Sequence, residues 1–226
     1  MTVTLSHALQ ITRLALSFAR VERVTRHEDG ARIETDSDHA IMLILLAAEF
    51  APPSLSRGRI AEFAAVHDLA EAYAGDVQTL TIDAAGRAAK DQREEEARHK
   101  IGADLGSESW IVRTLAAYEA QEEIEAQWVK IMDKVTPKLT HLLNGCVAAK
   151  ALTDEAGFRH SHRDQLLSLR NRFGTTEELR AALDLLEDSM TASELAWDSH
   201  HASFQPPLSA PTVGDVRTPN PYTTAD

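Results

Sequence analysis

The sequence has little cysteine and no excess of positive charge. Cys146 is the one cysteine among 226 residues, which excludes an internal disulfide framework and predicts a reducing, cytoplasmic compartment. Lys and Arg number 23 against 35 Asp and Glu, a formal net charge of −12. This balance argues against long nucleic acid or an anionic membrane surface as a partner, because both attract clustered basic residues. A small anionic ligand would need a locally positive site.

Long hydrophobic runs are also absent. The longest, residues 40–48, has nine residues, about half of the roughly 18 to 20 that a membrane-spanning helix needs. The segment 1–7 lacks a basic stretch followed by an apolar run, so no secretory signal is expected. With 43% hydrophobic and 26% charged residues, the composition is typical of a globular chain.

Aromatic residues make up only 5% of the chain, and β-branched residues rarely cluster. Ala, Leu, Glu and Arg, which favour helix, are frequent, so the sequence predicts an all-α fold with no convincing strand. The charged run 90–100 is interpreted as a solvated helix face. The predicted helices cover residues 7–24, 38–50, 54–73, 83–105, 108–120, 122–135, 138–150, 155–172 and 177–197.

The domain organisation follows from these elements. We expect one helical domain over 1–200, with a core of about 7–150 and extra helices over about 151–200. The apolar helix predicted for 38–50 would lie at the centre of this core. Five of the eight prolines lie in 203–226, so this stretch is predicted to be a disordered or surface-tracking tail.

Four polar residues interrupt the apolar helices, namely His39, His67, Asp68 and Asp133. Burial of unpaired carboxylates is costly, so two carboxylates with two imidazoles call for a cation. A mixed nitrogen and oxygen donor set suits Zn, Mn, Fe or Co better than an all-oxygen magnesium site does. Taken singly, each residue is more often a hydrogen-bonded structural residue.

Two further carboxylates follow at informative positions. Glu71 comes four residues after His67, hence on the same face of a helix, and Asp76 follows Gly75 at the helix end. A carboxylate beside a metal can orient or deprotonate a water, and a second can pass a proton to a leaving group. The alternatives are a solvated helix residue for Glu71 and a turn residue for Asp76.

These blocks resemble the HD-domain metal-dependent phosphohydrolases. His39, the pair His67-Asp68 and Asp133 reproduce the H…HD…D signature of that family. The local sequences ETDSDH (34–39) and HDLAEAYAGD (67–76) are most similar to its 5′-deoxynucleotidase-like branch. The resemblance covers roughly residues 14–150.

The resemblance implies an all-helical HD-domain bundle and one bound divalent ion, which could be Co, Mn, Zn, Fe or Mg. It assigns His39, His67, Asp68 and Asp133 as metal ligands. It assigns Glu71 and Asp76 to positioning the attacking water and to proton transfer. It also implies a small nucleotide substrate and a homo-oligomer, a dimer or larger.

Basic residues would hold the substrate phosphate. Arg20 and Arg23 are the counterparts of phosphate-binding arginines in the family, and the guanidinium fork suits phosphate oxygens. Plain surface charge is the alternative. Lys138 could be a further phosphate contact, although pairing with a glutamate of a neighbouring helix explains it equally well.

The favoured function is a metal-dependent phosphohydrolase of small (deoxy)nucleotides, namely a 5′-nucleotidase that releases phosphate from (d)NMP. A dNTP triphosphohydrolase that releases tripolyphosphate is an alternative, and so is a non-catalytic nucleotide-sensing or interaction module. The sequence lacks the motifs G-x-x-x-x-G-K and G-x-S-x-G, which disfavours a P-loop NTPase or a serine hydrolase.

Overall fold

The computed structural model describes residues 4–198, and helices dominate this range, which confirms the all-α prediction. The predicted tail, 203–226, lies outside the described residues. A single antiparallel hairpin is formed by β1 (Glu22–Arg26) and β2 (Ile33–Thr35). The helices are α1 (Leu5–Phe18), α2 (Asp36–Glu49), α3 (Arg57–Val66), α4 (Glu71–Ala74), α5 (Ala84–Leu105), α6 (Trp110–Ala120), α7 (Ile124–Asn144), α8 (Val147–Leu152), α9 (Glu155–Phe173) and α10 (Glu177–Asp198).

The hairpin corrects the prediction that the chain has no strand. The first helix ends at Phe18 rather than at residue 24, and residues 22–26 are extended. Asp29 Oδ1 accepts the backbone N–H groups of Ala31 and Arg32 at 2.8 and 3.0 Å, while Gly30 adopts φ 70°. This Asp-Gly turn reverses the chain and lets β2 pair with β1.

Helix α2 starts from a capping box. Thr35 Oγ1 accepts the N–H of Asp38, and the Asp38 carboxylate accepts the N–H of Thr35 at 3.0 Å. Leu43 is fully buried, as expected for a central helix, but Ile41 and Leu45 are 58% and 66% exposed. The expectation that this helix is buried on nearly every face therefore holds for one side only.

Helix α7 is one element where the sequence predicts two. It runs through Pro137 to Asn144 and ends where Gly145 and Cys146 take positive φ angles of 67° and 61°. Proline removes one backbone donor from a helix. Packing offsets that loss, because α7 contributes more to the main core than any other described helix; its share is Ala126, Trp128, Val129, Ile131, Met132 and Val135.

The last two described helices close the main core. α9 contributes Leu169 and Phe173, and α10 contributes a stripe of apolar residues to the cluster that holds Leu43 and Phe63. Along the described residues, 4–198, no helix combines the length and the apolarity that crossing a membrane requires. Helices α2, α3 and α7 thus meet in a closed core, and the predicted metal ligands lie where these three helices approach one another.

Candidate metal centre

Four side chains that are far apart in the sequence converge at one point. His39 comes from the first turns of α2, His67 and Asp68 follow α3, and Asp133 comes from the middle of α7. One ligand atom from each lies within 4.8 Å of all the others. His39 Nε2 is 2.9 Å from Asp133 Oδ1, and His67 Nε2 is 2.9 Å from Asp68 Oδ2. The structure therefore brings all four predicted ligands together.

The helix ends at the C-terminus of α3 and the chain continues in tight turns, which makes this convergence possible. The helix predicted for 54–73 ends at Val66, and tight turns follow, with Leu69 N–H donating to the Val66 carbonyl and Glu71 N–H to the Asp68 carbonyl. In a regular helix the side chains of His67 and Asp68 would point about 100° apart. The turn instead directs both toward Asp133.

Each imidazole has an oxygen atom beside its Nδ1, which orients the ring. His67 Nδ1 lies 2.9 Å from the Ala64 carbonyl and donates its proton there, while Nε2 faces Asp68 Oδ2 at 2.9 Å and Asp133 Oδ1 at 3.7 Å. His39 Nδ1 lies 3.4 Å from Glu34 Oε1. A carboxylate or carbonyl behind a histidine fixes the tautomer that presents Nε2 to a metal. The donor set and its orientation thus fit a divalent ion.

Arg23, on strand β1, contacts three carboxylates of the site. Its Nη1 donates to Asp36 Oδ1 at 3.1 Å and to Asp68 Oδ2 at 3.2 Å, and its Nε lies 3.3 Å from Glu34 Oε1. Although burial lowers the pKa of Arg23, Asp68 and Asp76 raise it above its usual value. Arg23 is therefore a buried cation that orients Asp68.

Arg20, the other predicted phosphate contact, has different surroundings. It lies in the turn after α1, where its backbone N–H donates to the Ser17 carbonyl, and its side chain is exposed. Within residues 4–198 the Arg20 side chain makes no hydrogen bond or ion pair. The structure does not join Arg20 to the network of Arg23.

Glu71 and Asp76 flank the cluster on the side of α4. Glu71 is only 4% exposed, and burial, with Asp68 and Asp76 nearby, raises its pKa to about 9. Asp76 follows Gly75 and is also partly buried, which raises its pKa, an effect that Arg23 opposes. Both carboxyl groups therefore hold protons more tightly than free side chains do, a property that suits a proton donor near neutral pH.

Two lysines of α7 extend the site beyond Asp133. Lys134 Nζ is 2.6 Å from Asp133 Oδ2. Lys138 lies one turn further, and no acidic group among the described residues pairs with it. Burial, with Lys134 beside it, lowers the pKa of Lys138 to about 8. The alternative of a Lys138–glutamate pair is thus not found in the described part of the chain.

Carboxylates outnumber basic side chains around the site. Seven carboxylates belong to the network, namely Glu34, Asp36, Asp68, Glu71, Asp76, Glu94 and Asp133. Four basic side chains lie near them, namely Arg23, Lys90, Lys134 and Lys138. This excess of acidic groups favours a bound cation.

Comparison with known proteins agrees with this geometry. Residues 18–170 match the family model described as HD domain. The chain belongs to the HD domain family. This confirms the resemblance seen in the sequence.

Curated relatives of this HD domain carry the name 5′-deoxynucleotidase HDDC2. The human protein is 32% identical over 131 residues, which cover 56% of this chain and 62% of the relative. The protein of Danio rerio is 31% identical over 134 residues, 58% of this chain and 66% of the relative. The matched region thus spans somewhat less than two thirds of these relatives.

A solved structure shares the fold. The crystal structure described as a predicted metal-dependent phosphohydrolase from Magnetospirillum magnetotacticum MS-1 superposes with a TM-score of 0.61 at 20% identity. The match covers 84% of this chain and 98% of that one, so it extends over most of the helices described above.

One residue of this HD domain site lies in a segment that the sequence misjudged. Lys90, within the charged run interpreted as a solvated face, is half-buried and donates to Glu71 Oε1 at 3.0 Å. The signal that could have revealed it is periodicity. Lys90 and Glu94 share the face of α5 that carries three buried residues, namely Ala97, Ile101 and Leu105.

Proposed function

We propose that the chain is a metal-dependent phosphohydrolase that removes the 5′-phosphate from a deoxynucleoside monophosphate. The observation that carries this proposal is the convergence of two oriented imidazoles and two carboxylates within 4.8 Å, beside two further carboxyl groups with raised pKa values. The name 5′-deoxynucleotidase on relatives about 31% identical supports the substrate class.

His39, His67, Asp68 and Asp133 would hold one divalent ion, which could be Co, Mn, Zn, Fe or Mg. Such an ion supplies a positive charge that polarises a phosphate oxygen and lowers the pKa of water. The chain contributes the orientation of its ligands through Ala64, Glu34 and Arg23. The mixed donor set favours a transition metal over magnesium.

In its ionised form, which the positive charge of a bound divalent ion would favour, Glu71 would accept the proton of the attacking water. Its Oε2 is buried and has no hydrogen-bond partner among residues 4–198, so this oxygen is available to water. Asp76 would pass a proton to the departing nucleoside oxygen, and its raised pKa favours the protonated form that such a step needs.

Basic side chains would receive the phosphate on the opposite side of the cluster. Lys138 is the best placed, because its ammonium group has no acidic partner within the described range and lies one turn from Lys134. Arg23 and Arg20 are further candidates, Arg23 with part of its guanidinium already engaged by carboxylates. These cations explain how an acidic chain attracts a small anion.

The other expectations extend this proposal. We propose a cytoplasmic enzyme of small nucleotides, without long nucleic acid or membrane as a partner, that forms a homo-oligomer. The buried free thiol of Cys146 supports a cytoplasmic location. The net charge of −12 supports the exclusion of long nucleic acid and membrane as partners. The exposed Ile41 and Leu45 of α2 support association between copies.

A dNTP triphosphohydrolase is the second candidate. The observation that favours it is the succession of Lys134 and Lys138 along one face of α7, which could receive a chain of phosphates rather than one. This reaction would release tripolyphosphate from the same metal site.

One substrate panel tests both candidates. Metal-free protein is reloaded with each divalent ion and supplied with dNMPs, NMPs and dNTPs, and phosphate and tripolyphosphate are measured separately. We expect phosphate from dNMPs. Release of tripolyphosphate from dNTPs alone would establish the second candidate. Nucleotide binding without turnover under any metal would instead indicate a sensing module.

A variant pair ties the activity to the metal centre. Asp68→Ala removes one proposed ligand and is expected to lower kcat by at least about 100-fold, since even outer partners of metal ligands cost roughly 10- to 100-fold. Asp91→Ala, at an exposed position of α5, is the matched control and should retain activity. Full activity of Asp68→Ala in metal-loaded protein would overturn the proposal.

A further inference from the structure

Lys90 of α5 reaches across to the carboxylate of Glu71. Its Nζ donates to Glu71 Oε1 at 3.0 Å and also pairs with Glu94, one turn along the same helix. The Lys90 side chain is 17% exposed and that of Glu71 is 5% exposed. The contact therefore lies below the surface and is not one of the solvated ion pairs of α5.

The two oxygens of Glu71 have different surroundings. Oε1 accepts the hydrogen bond from Lys90, whereas Oε2 is buried and unpartnered within the described structure. Engagement of one oxygen fixes the plane and direction of a carboxylate. The oxygen that remains is the one available to a water at the metal centre.

Lys90 is also the one basic side chain among the described residues that pairs with Glu71. Its Nζ lies 3.0 Å from Oε1, and the pair is largely shielded from solvent. Lys90 is thus the group placed to hold this carboxylate in position.

We propose that Lys90 is a positioning residue of the reaction, which fixes Glu71 so that Oε2 can accept a proton at the metal centre, with Glu94 fixing Lys90 in turn. The proposal rests on the proposed function, because it assigns Lys90 a role in the same hydrolysis. Lys90 itself touches neither the four predicted metal ligands nor Lys134 and Lys138 of α7.

Lys90→Met tests the role directly. We expect kcat to fall by roughly 10- to 100-fold, as for other outer partners of metal sites, with KM within about twofold, because Lys90 orients Glu71 and does not bind substrate. Lys90→Arg, which keeps the charge and a donor, should recover most of the lost kcat. Arg87→Met, at an exposed position one turn earlier on α5, is the matched control and should behave as the wild type.

A double-mutant cycle separates positioning from a structural effect. If Lys90 acts through Glu71, the pair Glu71→Gln and Lys90→Met should be no slower than Glu71→Gln alone. Multiplying losses would overturn the proposal, and so would a wild-type kcat in Lys90→Met. Should Lys90→Met unfold, Lys90→Gln and Glu94→Gln provide the same comparison with smaller changes in volume.

Two readouts do not depend on turnover. A crystal structure of Lys90→Met should show the Glu71 carboxylate rotated from its wild-type position, and calorimetric Mn²⁺ binding should be unchanged because the four ligands remain. An unmoved Glu71 would overturn the inference. Failure of the proposed function is distinguishable, because it would appear in the wild-type protein as absence of nucleotide hydrolysis, whereas failure of this inference appears only between variants.

Discussion

The protein buries two pairs of histidines in contrasting surroundings. His39 and His67 face two carboxylates, with ring centroids 5.4 Å apart. His141 and His162 instead contact the ring of Phe158, at 5.8 and 4.1 Å between ring centroids, and Lys138 lies near both. Burial and Lys138 lower the pKa of both His141 and His162. His162 also has one carboxylate, Glu194, 2.9 Å from its Nδ1. Two carboxylates that converge with two imidazoles, rather than burial or a single carboxylate, therefore distinguish the candidate metal centre.

The largest expected difference between the pairs is in metal binding. His67→Asn and Asp133→Asn should lose the ion, with a drop in affinity beyond the roughly 10- to 100-fold that outer partners cost. His162→Asn is the matched change in the other pair and should keep the wild-type metal content. Metal analysis after dialysis measures all three. Equal losses in His162→Asn and His67→Asn would abolish the distinction.

Metal removal should destabilise the wild type strongly. An ion at 100 times its Kd stabilises the folded state by about 2.7 kcal/mol, which corresponds to roughly 5 to 10 °C in Tm for a domain of this size. Scanning calorimetry before and after chelation measures the shift. Asp133→Asn should show no response to chelator, and a shift of wild-type size in that variant would place the stabilising ion elsewhere.

A smaller difference in metal affinity is expected when the carboxylate beside His39 or His162 is changed. Glu34 Oε1 lies 3.4 Å from His39 Nδ1, and Glu194 Oε1 accepts a hydrogen bond from His162 Nδ1 at 2.9 Å. Glu34→Gln should weaken metal binding by roughly 10- to 100-fold, because the acceptor behind a ligand histidine tunes its donor strength. Glu194→Gln should leave metal affinity unchanged. Calorimetric titration with Zn²⁺ or Mn²⁺ distinguishes the two.

The smallest expected effect is in acid stability. Burial, with Lys138 nearby, lowers the pKa of His141 to about 3 from an unfolded value of about 6.5. The unfolded state then binds more protons between these values, so stability is present above pH 6.5 and falls as the pH drops toward 3. Between pH 7 and pH 5 this histidine should cost about 1 to 2 kcal/mol.

Guanidinium unfolding of metal-free protein at pH 7 and pH 5 measures this loss. His141→Gln should reduce the difference between the two pH values, whereas His99→Gln, at an exposed position of α5, should retain it. An unchanged pH dependence in His141→Gln would show that His141 is not the group that titrates.

The four side chains that converge in the structure could be singled out as candidate ligands from the sequence, because each contrasts with its neighbours. His39 and Asp133 stand among apolar residues of long helices, and such a pattern needs no tertiary information. The helix predicted through His67 was wrong, because nothing local ends α3 at Val66. The break is set by how the turn packs against α2 and α7, which periodicity does not report.

Three features were not predicted, for related reasons. They are the hairpin, the continuity of α7 and the contact of Lys90 with Glu71. Strand β1 has five residues, of which only Val24 and Thr25 are uncharged, and is too short to differ clearly from a helix end. Pro137 signals a helix end locally, and only packing around Trp128 and Met132 overrides it. Lys90 lies in a run of charged residues. Which of these side chains faces the rest of the protein depends on where α5 packs.

The ligands of the candidate centre also differ in how far the chain must close to unite them. His67 and Asp68 are neighbours, but the hydrogen bond from His39 to Asp133 spans 94 residues, and that from Arg23 to Asp68 spans 45. Closing such loops costs entropy before any contact repays it. A chain in which α2 and α3 have packed but α7 has not docked therefore lacks Asp133, one of the four donors. Complete ion binding would report the docking of α7.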